Sequence, residues 1–167
     1  MSINLERALL EKIGDLQAVK SKVDFWKREG EKVVFTNGVF DLLHLGHITY
    51  MAKAANLGDK LVVGLNADSS VKRIKGDSRP VNDQANRAAL LAALFFVDAV
   101  VIFDEDTPIN LISALLPDIL VKGSDYTIDT IVGAKEVLAN GGEVQTIDLV
   151  EGYSSTSIIN RIKGQSN

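Results

Sequence analysis

Val33-Val34-Phe35-Thr36-Asn37-Gly38-Val39-Phe40-Asp41-Leu42-Leu43-His44-Leu45-Gly46-His47-Ile48 begins as a β-branched apolar run and turns, through two glycines, into a helical pattern. Both histidines of the chain lie in that turn. Gly38 permits a sharp change of direction, and Gly46 permits close approach of a bound group where a side chain would collide. The backbone amides of a helix starting near His47 point past the strand end and favour an anion there. Two imidazoles beside them are placed to donate to polyphosphate oxygens, where charge grows during transfer.

Working outward, the same alternation repeats. Ile48 to Leu57 reads as a helix, Leu61-Val62-Val63 as a strand, and Gln84 to Phe95 as a helix. Ala99 to Phe103, Ile119-Leu120-Val121 and Glu143 to Ile147 read as strands, interleaved with helices over Ile109 to Leu116, Ile131 to Ala139 and Thr156 to Ile162. Strands that are apolar throughout, each followed by a helix, predict a parallel sheet covered on both faces. The expected fold is α/β, a doubly wound five-stranded parallel sheet of Rossmann-like type. Leu5, Leu9, Leu10, Ile13 and then Leu16, Val19, Val23, Trp26 recur at helical spacing, which predicts two extra N-terminal helices. In a doubly wound sheet, ligands lie beyond the carboxyl ends of the strands.

A chain of 167 residues that is 46% hydrophobic supports one core, so a single domain over 1–167 is expected, with a helical extension at 1–30 and a core at 31–163. The net charge of −4 offers no broad basic face to nucleic acid or an anionic membrane. The absence of cysteine excludes thiolate catalysis and thiolate metal sites. A zinc site on the two histidines would need carboxylates to complete it. No protein-ligated metal is expected. Without a secretion signal or a run long enough to span a bilayer, the expected location is cytoplasmic.

The pattern Gly38-Val39-Phe40-Asp41 followed by His44-Leu45-Gly46-His47 resembles the HxGH signature of the cytidylyltransferase-like nucleotidyltransferase superfamily. The likeness continues through Ser70 to Asn82, Asp104-Glu105-Asp106-Thr107-Pro108, Leu120-Val121-Lys122-Gly123-Ser124-Asp125-Tyr126, Gly133 to Val137 and the Ser154 to Ser157 run. Over about Val33 to Ile162 the chain is similar to D-glycero-β-D-manno-heptose 1-phosphate adenylyltransferases. Two departures stand out. Ser124 replaces a second glycine, and Tyr153-Ser154-Ser155-Thr156 stands where relatives often read Cys-Ser-Thr-Thr.

The resemblance implies transfer of AMP from ATP to a sugar 1-phosphate, with Mg²⁺ accompanying the nucleotide. It implies catalytic roles for His44, His47 and one of Lys72 and Lys75, whose ammonium grips shifting phosphate charge. It places Thr36, Asn37, Gly38, Phe40, Asp41, Gly46, Arg87, Lys122, Gly123, Asp125, Tyr153, Ser154, Ser155 and Thr156 at the nucleotide. Arg87 would bind phosphate or stack on the base. The competing reading of Lys72, Arg73 and Lys75 is a solvated basic turn, and Asp41 either orients the histidine loop, positions a hydrated metal or caps a turn. Trp26 and the phenylalanines read as core.

In many such relatives the domain follows a sugar kinase, which is absent from this sequence. A CMP-transferring relative such as a glycerol 3-phosphate cytidylyltransferase is the main enzymatic rival, and a nucleotide-binding regulatory module is the rival outside catalysis. The apolar N-terminal helices suit a partner subunit as readily as their own sheet, and a homodimer is the expected assembly.

Overall fold

Every segment that reads as a strand joins one parallel sheet in a computed structural model that describes residues 4–164. In chain order the elements are α1 (Leu5–Leu10), β1 (Ile13–Gly14), α2 (Leu16–Arg28), β2 (Val33–Gly38), α3 (Leu45–Ala55), β3 (Lys60–Asn66) and α4 (Asp68–Lys75). There follow α5 (Gln84–Ala92), β4 (Ala99–Phe103), α6 (Ile109–Leu115), β5 (Ile119–Gly123), a 3-10 turn (Ile128–Thr130), α7 (Ala134–Ala139), β6 (Glu143–Ile147) and α8 (Ser155–Ile162).

The strand order is β1-β4-β3-β2-β5-β6, and all five pairings are parallel. From β2 the chain winds outward through β3 to β4, then returns to the other side of β2 for β5 and β6. The order therefore reverses at β2, and a crevice opens there between the strand ends.

Strand residues alternate between two apolar cores, as a period of two demands. Phe35, Val62, Val101 and Leu120 face one side with Val19 and Val23 of α2, Leu111 and Ile112 of α6, and Ala134 and Val137 of α7. Val34, Leu61, Val63, Val100 and Val121 face the other, with Met51 and Ala54 of α3 and Ala88 and Leu91 of α5. Both faces being buried explains why these strands are apolar without interruption. Trp26 packs against the first core, in line with its sequence reading.

Two elements differ from the sequence reading. Ile13, read as part of a helical stripe, instead starts a sixth strand that pairs with Val100 and Val101 of β4. Asp15 accepts the N–H of Ala18 and caps α2, so the chain breaks between two helices and the break is straight enough to extend the sheet. The N-terminal segment is thus an edge strand and a packed helix as well as an extension. The second difference is α4, which occupies the supposed basic turn and carries Lys72, Arg73 and Lys75 in its last turn, where cations complement the helix dipole.

Among the described residues, no helix is long and apolar enough to cross a membrane.

Candidate functional site

The reversal at β2 opens into a cleft of about 630 Å³, a size common for small-molecule sites. Its floor is the carboxyl ends of β2 and β5, through Asn37, Gly38, Lys122 and Gly123. One wall is the turn from Val39 to His47 together with Tyr50 of α3. Tyr153 to Thr156 at the start of α8 adjoin that turn and line the cleft with it. His47 and Thr156, 109 positions apart by number, line the same cavity.

The histidine turn is built locally. Phe40 sits at φ 46°, the left-handed region that side chains rarely adopt, and its ring lies against Gly38, where an added Cβ would stand 3.0 Å from it. His44 is the N-cap of α3, its Nδ1 accepting the backbone N–H of His47 at 3.3 Å. The two imidazoles stack with centroids 3.7 Å apart and planes 19° from parallel. A Cβ on Gly46 would lie 3.1 Å from His44 Nδ1 and 3.2 Å from Tyr153 Cβ, so glycine lets the turn pass between them.

Burial sets the charge state of this pair. It holds His44 below the ordinary histidine range and lowers His47 to about 4; the neighbouring His44 lowers His47 further, while the Leu42 backbone opposes the shift. Both rings are therefore neutral at pH 7. With Nδ1 accepting from His47, neutral His44 carries its proton on Nε2, which makes that atom a donor. The Nδ1 of His47 and Oδ1 of Asn37 are buried without a hydrogen-bond partner among the described residues.

Around the pair stand groups suited to anions. Lys122 is lowered to about 8 by burial, against the opposing pull of Asp125; its Nζ donates to Asn37 O at 3.4 Å and lies 5.7 Å from the Tyr126 ring centroid. Gly123 makes room for Asp125, whose Oδ1 would stand 2.4 Å from an added Cβ. Ser154 caps α8 by accepting the N–H of Ser157 at 3.0 Å. Ser155 Oγ donates to the carbonyl of Leu42 at 3.1 Å and so ties the α8 start to the histidine turn. Thr156 lines the cleft beside them.

Of the residues that the sequence singled out, the cleft gathers Asn37, Gly38, Phe40, Asp41, His44, Gly46, His47, Lys75, Lys122, Gly123, Asp125 and Tyr153 to Thr156. Three lie elsewhere. Thr36 is fully buried in β2, its hydroxyl 2.8 Å from the Oη of Tyr50, whose pKa burial raises to about 12. Lys72 is exposed on α4 away from the lining, whereas Lys75, one turn later at the helix end, reaches it. Arg87 is fully buried and bonds to carbonyls of Val39 (2.7 Å), Asn66 (2.8 Å) and Asn82 (3.0 Å) and to Asp68 (2.7 Å). Its donors join the strand ends beneath the cleft and are not presented to a base or phosphate.

Asp41 also resolves. Its carboxylate accepts from Arg79 Nε at 2.5 Å and from the backbone N–H groups of Val81 and Asn82, so among the sequence alternatives it ties down a turn. Tyr50, Asn66, Arg79, Ile131, Val132 and Leu149 line the cleft without having been selected from sequence. Asn66 ends β3 and Arg79 lies within the Ser70 to Asn82 likeness, and those are the signals that point to them. Ile131, Val132 and Leu149 carry no chemistry that marks them.

The profile of the Cytidylyltransferase-like family matches residues 35–161. The bifunctional protein HldE of Methylobacillus flagellatus is 53% identical over 155 residues, 93% of this chain and 32% of that protein. The bifunctional protein HldE of Campylobacter fetus is 62% identical over 137 residues, 82% of this chain and 29% of that protein. The chain thus spans about a third of the length of the curated relatives it matches. Among solved structures, a lipopolysaccharide core biosynthesis protein from Thermoplasma volcanium aligns with TM-score 0.59 and 32% identity, over 75% of this chain and 100% of that one. A pantoate-beta-alanine ligase from Francisella tularensis aligns with TM-score 0.59 over 90% of this chain and 76% of that one, and at 15% identity it shares the fold alone.

Proposed function

The chain belongs to the cytidylyltransferase-like family, and from that membership we propose that it transfers AMP from ATP to D-glycero-β-D-manno-heptose 1-phosphate, giving ADP-heptose and pyrophosphate. The observation that carries this reading is the convergence of His44, His47, Lys122 and the capped start of α8 on one cleft. The choice of heptose rests on the Lys72 to Asn82 and Leu120 to Tyr126 stretches, and similarity to a lipopolysaccharide core biosynthesis protein supports it. One catalytic domain is proposed, with 31–163 as its core.

The chemistry follows from charge. A phosphate oxygen of the sugar attacks the α-phosphorus in line; the new P–O bond forms as the bond to the bridging α–β oxygen breaks, and its electron pair leaves with pyrophosphate. The nucleophile is already anionic, so no residue has to remove a proton. The protein has to align two polyanions and donate to charge that builds on the α-phosphate and the leaving oxygen. Neutral His44 donates from Nε2, His47 supports it from within the stack, and Lys75 and Lys122 supply cations from two sides.

ATP is taken as its magnesium complex, the ion neutralising triphosphate oxygens and keeping most of its water. Asp41, the buried carboxylate of the cleft, already accepts from Arg79 and two backbone amides, so the ion arrives with the nucleotide in this reading. A cytoplasmic enzyme is proposed, since ATP is the donor. A homodimer packed through the exposed Leu5, Leu10 and Phe25 completes the reading, and sedimentation velocity tests it.

The deciding experiment crosses ATP and CTP with heptose 1-phosphate and glycerol 3-phosphate and follows pyrophosphate. ATP with heptose 1-phosphate is the expected pair. Turnover with CTP and glycerol 3-phosphate instead would replace this reading with the cytidylyltransferase one, and binding without turnover in all four would leave a regulatory module.

A further inference from the structure

Arg79 stands in an exposed basic stretch of sequence, yet the fold holds it in a defined posture. Asp41 is 1% exposed, and its Oδ2 accepts the Nε–H of Arg79 at 2.5 Å. Its Oδ1 accepts from the backbone of Val81 at 2.8 Å and of Asn82 at 3.0 Å, and the Asn82 side-chain amide donates back to the Asp41 carbonyl at 3.1 Å. One buried carboxylate thereby fixes both the guanidinium and the backbone that carries it. The Arg79 side chain is 15% exposed and lines the cleft, and its Nη1 and Nη2 have no protein partner among the described residues. A guanidinium gripped at Nε presents its far edge as a two-pronged donor, the shape that matches phosphate.

The sheet order says which phosphate. The histidine turn follows β2, with β5, β6 and the start of α8 on one side and β3 and β4 on the other. Lys122, Gly123 and Tyr153 to Thr156 line the first arm; Lys75, Arg79 and Thr107, which follow β3 and β4, line the second. In-line displacement puts the attacking phosphate and the departing pyrophosphate on opposite sides of the α-phosphorus. In the nucleotidyl-transfer reading the nucleotide takes the hydroxyl-rich α8 arm, which leaves the arm of Arg79 for the acceptor. We propose that Arg79, positioned by Asp41, binds the phosphate of the acceptor substrate; the identity of the two anions rests on the nucleotidyl-transfer reading, while the existence of a second phosphate site does not.

Calorimetric titration of the full chain, loaded with a nonhydrolysable ATP analogue and Mg²⁺, with mannose 1-phosphate and with inorganic phosphate tests this. Arg79→Gln is expected to weaken binding of the second phosphate by roughly 10- to 100-fold, the scale of a charge-assisted bidentate contact, while the analogue's own Kd moves less than about threefold. Arg79→Lys keeps a cation opposite Asp41 but lacks the fork; it is expected to melt like wild type and still lose about tenfold or more in phosphate affinity. Wild-type affinity in folded Arg79→Gln, full rescue by Arg79→Lys, equal losses for nucleotide and phosphate, or no second phosphate on wild type would each overturn the assignment. A wild-type chain that binds the second phosphate in an Arg79-dependent manner, yet releases no pyrophosphate with any nucleotide and sugar phosphate, supports the Arg79 site and sinks the transferase reading alone.

Discussion

His44 Nδ1 lies 3.3 Å from the backbone nitrogen of His47, whose ring stacks on that of His44 at 3.7 Å. One imidazole therefore does two jobs: it caps α3 with one nitrogen and keeps the other free to donate. Close stacking of two rings also penalises charging both, consistent with the lowered affinity of His47 for a proton.

Replacing either histidine with alanine is expected to lower turnover by roughly two to three orders of magnitude, the usual worth of a transition-state donor. His44→Ala also loses the cap, at about 1 kcal/mol, whereas His44→Asn retains a capping oxygen and separates the two roles. Pyrophosphate release beside thermal melting makes the measurement. Near-normal turnover in a folded double variant would remove the pair from catalysis.

Acid should expose the burial of His47. Its folded pKa of about 4 lies below the ordinary 6.5, so between these values the unfolded chain binds a proton that the folded chain refuses. Stability from this group is fully present above 6.5, rises with pH across the window, and is lost as pH falls towards 4. Urea unfolding at pH 7 and pH 4.5 should show wild type losing roughly 2 kcal/mol more than His47→Asn over that interval. Equal losses would mean that the ring is solvated.

Lys122 titrates at about 8, so the free protein sheds this cation as pH rises past that value. ATP affinity is expected to fall by up to about tenfold between pH 7 and pH 9, and the fall should be absent in Lys122→Gln. The same slope in the variant would assign the pH dependence to another group.

Arg87 is a keystone of the cleft floor. Arg87→Met leaves three carbonyls without their donor and removes the partner of the partly exposed Asp68, at a cost of roughly 2 to 4 kcal/mol, most of it from the unpaired carbonyls. Denaturant unfolding should show the full loss even in the absence of nucleotide. A stable variant with weakened ATP binding would restore the nucleotide role that its position in the sequence suggested.

Much of this protein is legible in its sequence. Val33 to Phe35 and Ala99 to Phe103 announce strands because a doubly covered sheet needs apolar side chains on both faces. The histidine turn and the start of α8 announce an anion site because glycine spacing, capping and helix polarity act within a few residues. The tertiary structure decided what depends on distant neighbours. Ile13 became a strand because β4 offered it an open edge, Asp41 found its partner 38 residues away in Arg79, and Arg87 turned inward to carbonyls of two strand ends and a loop. A side chain's type sets which bonds it can make; which groups it meets is settled by how the sheet is ordered, and no short stretch of sequence encodes that order.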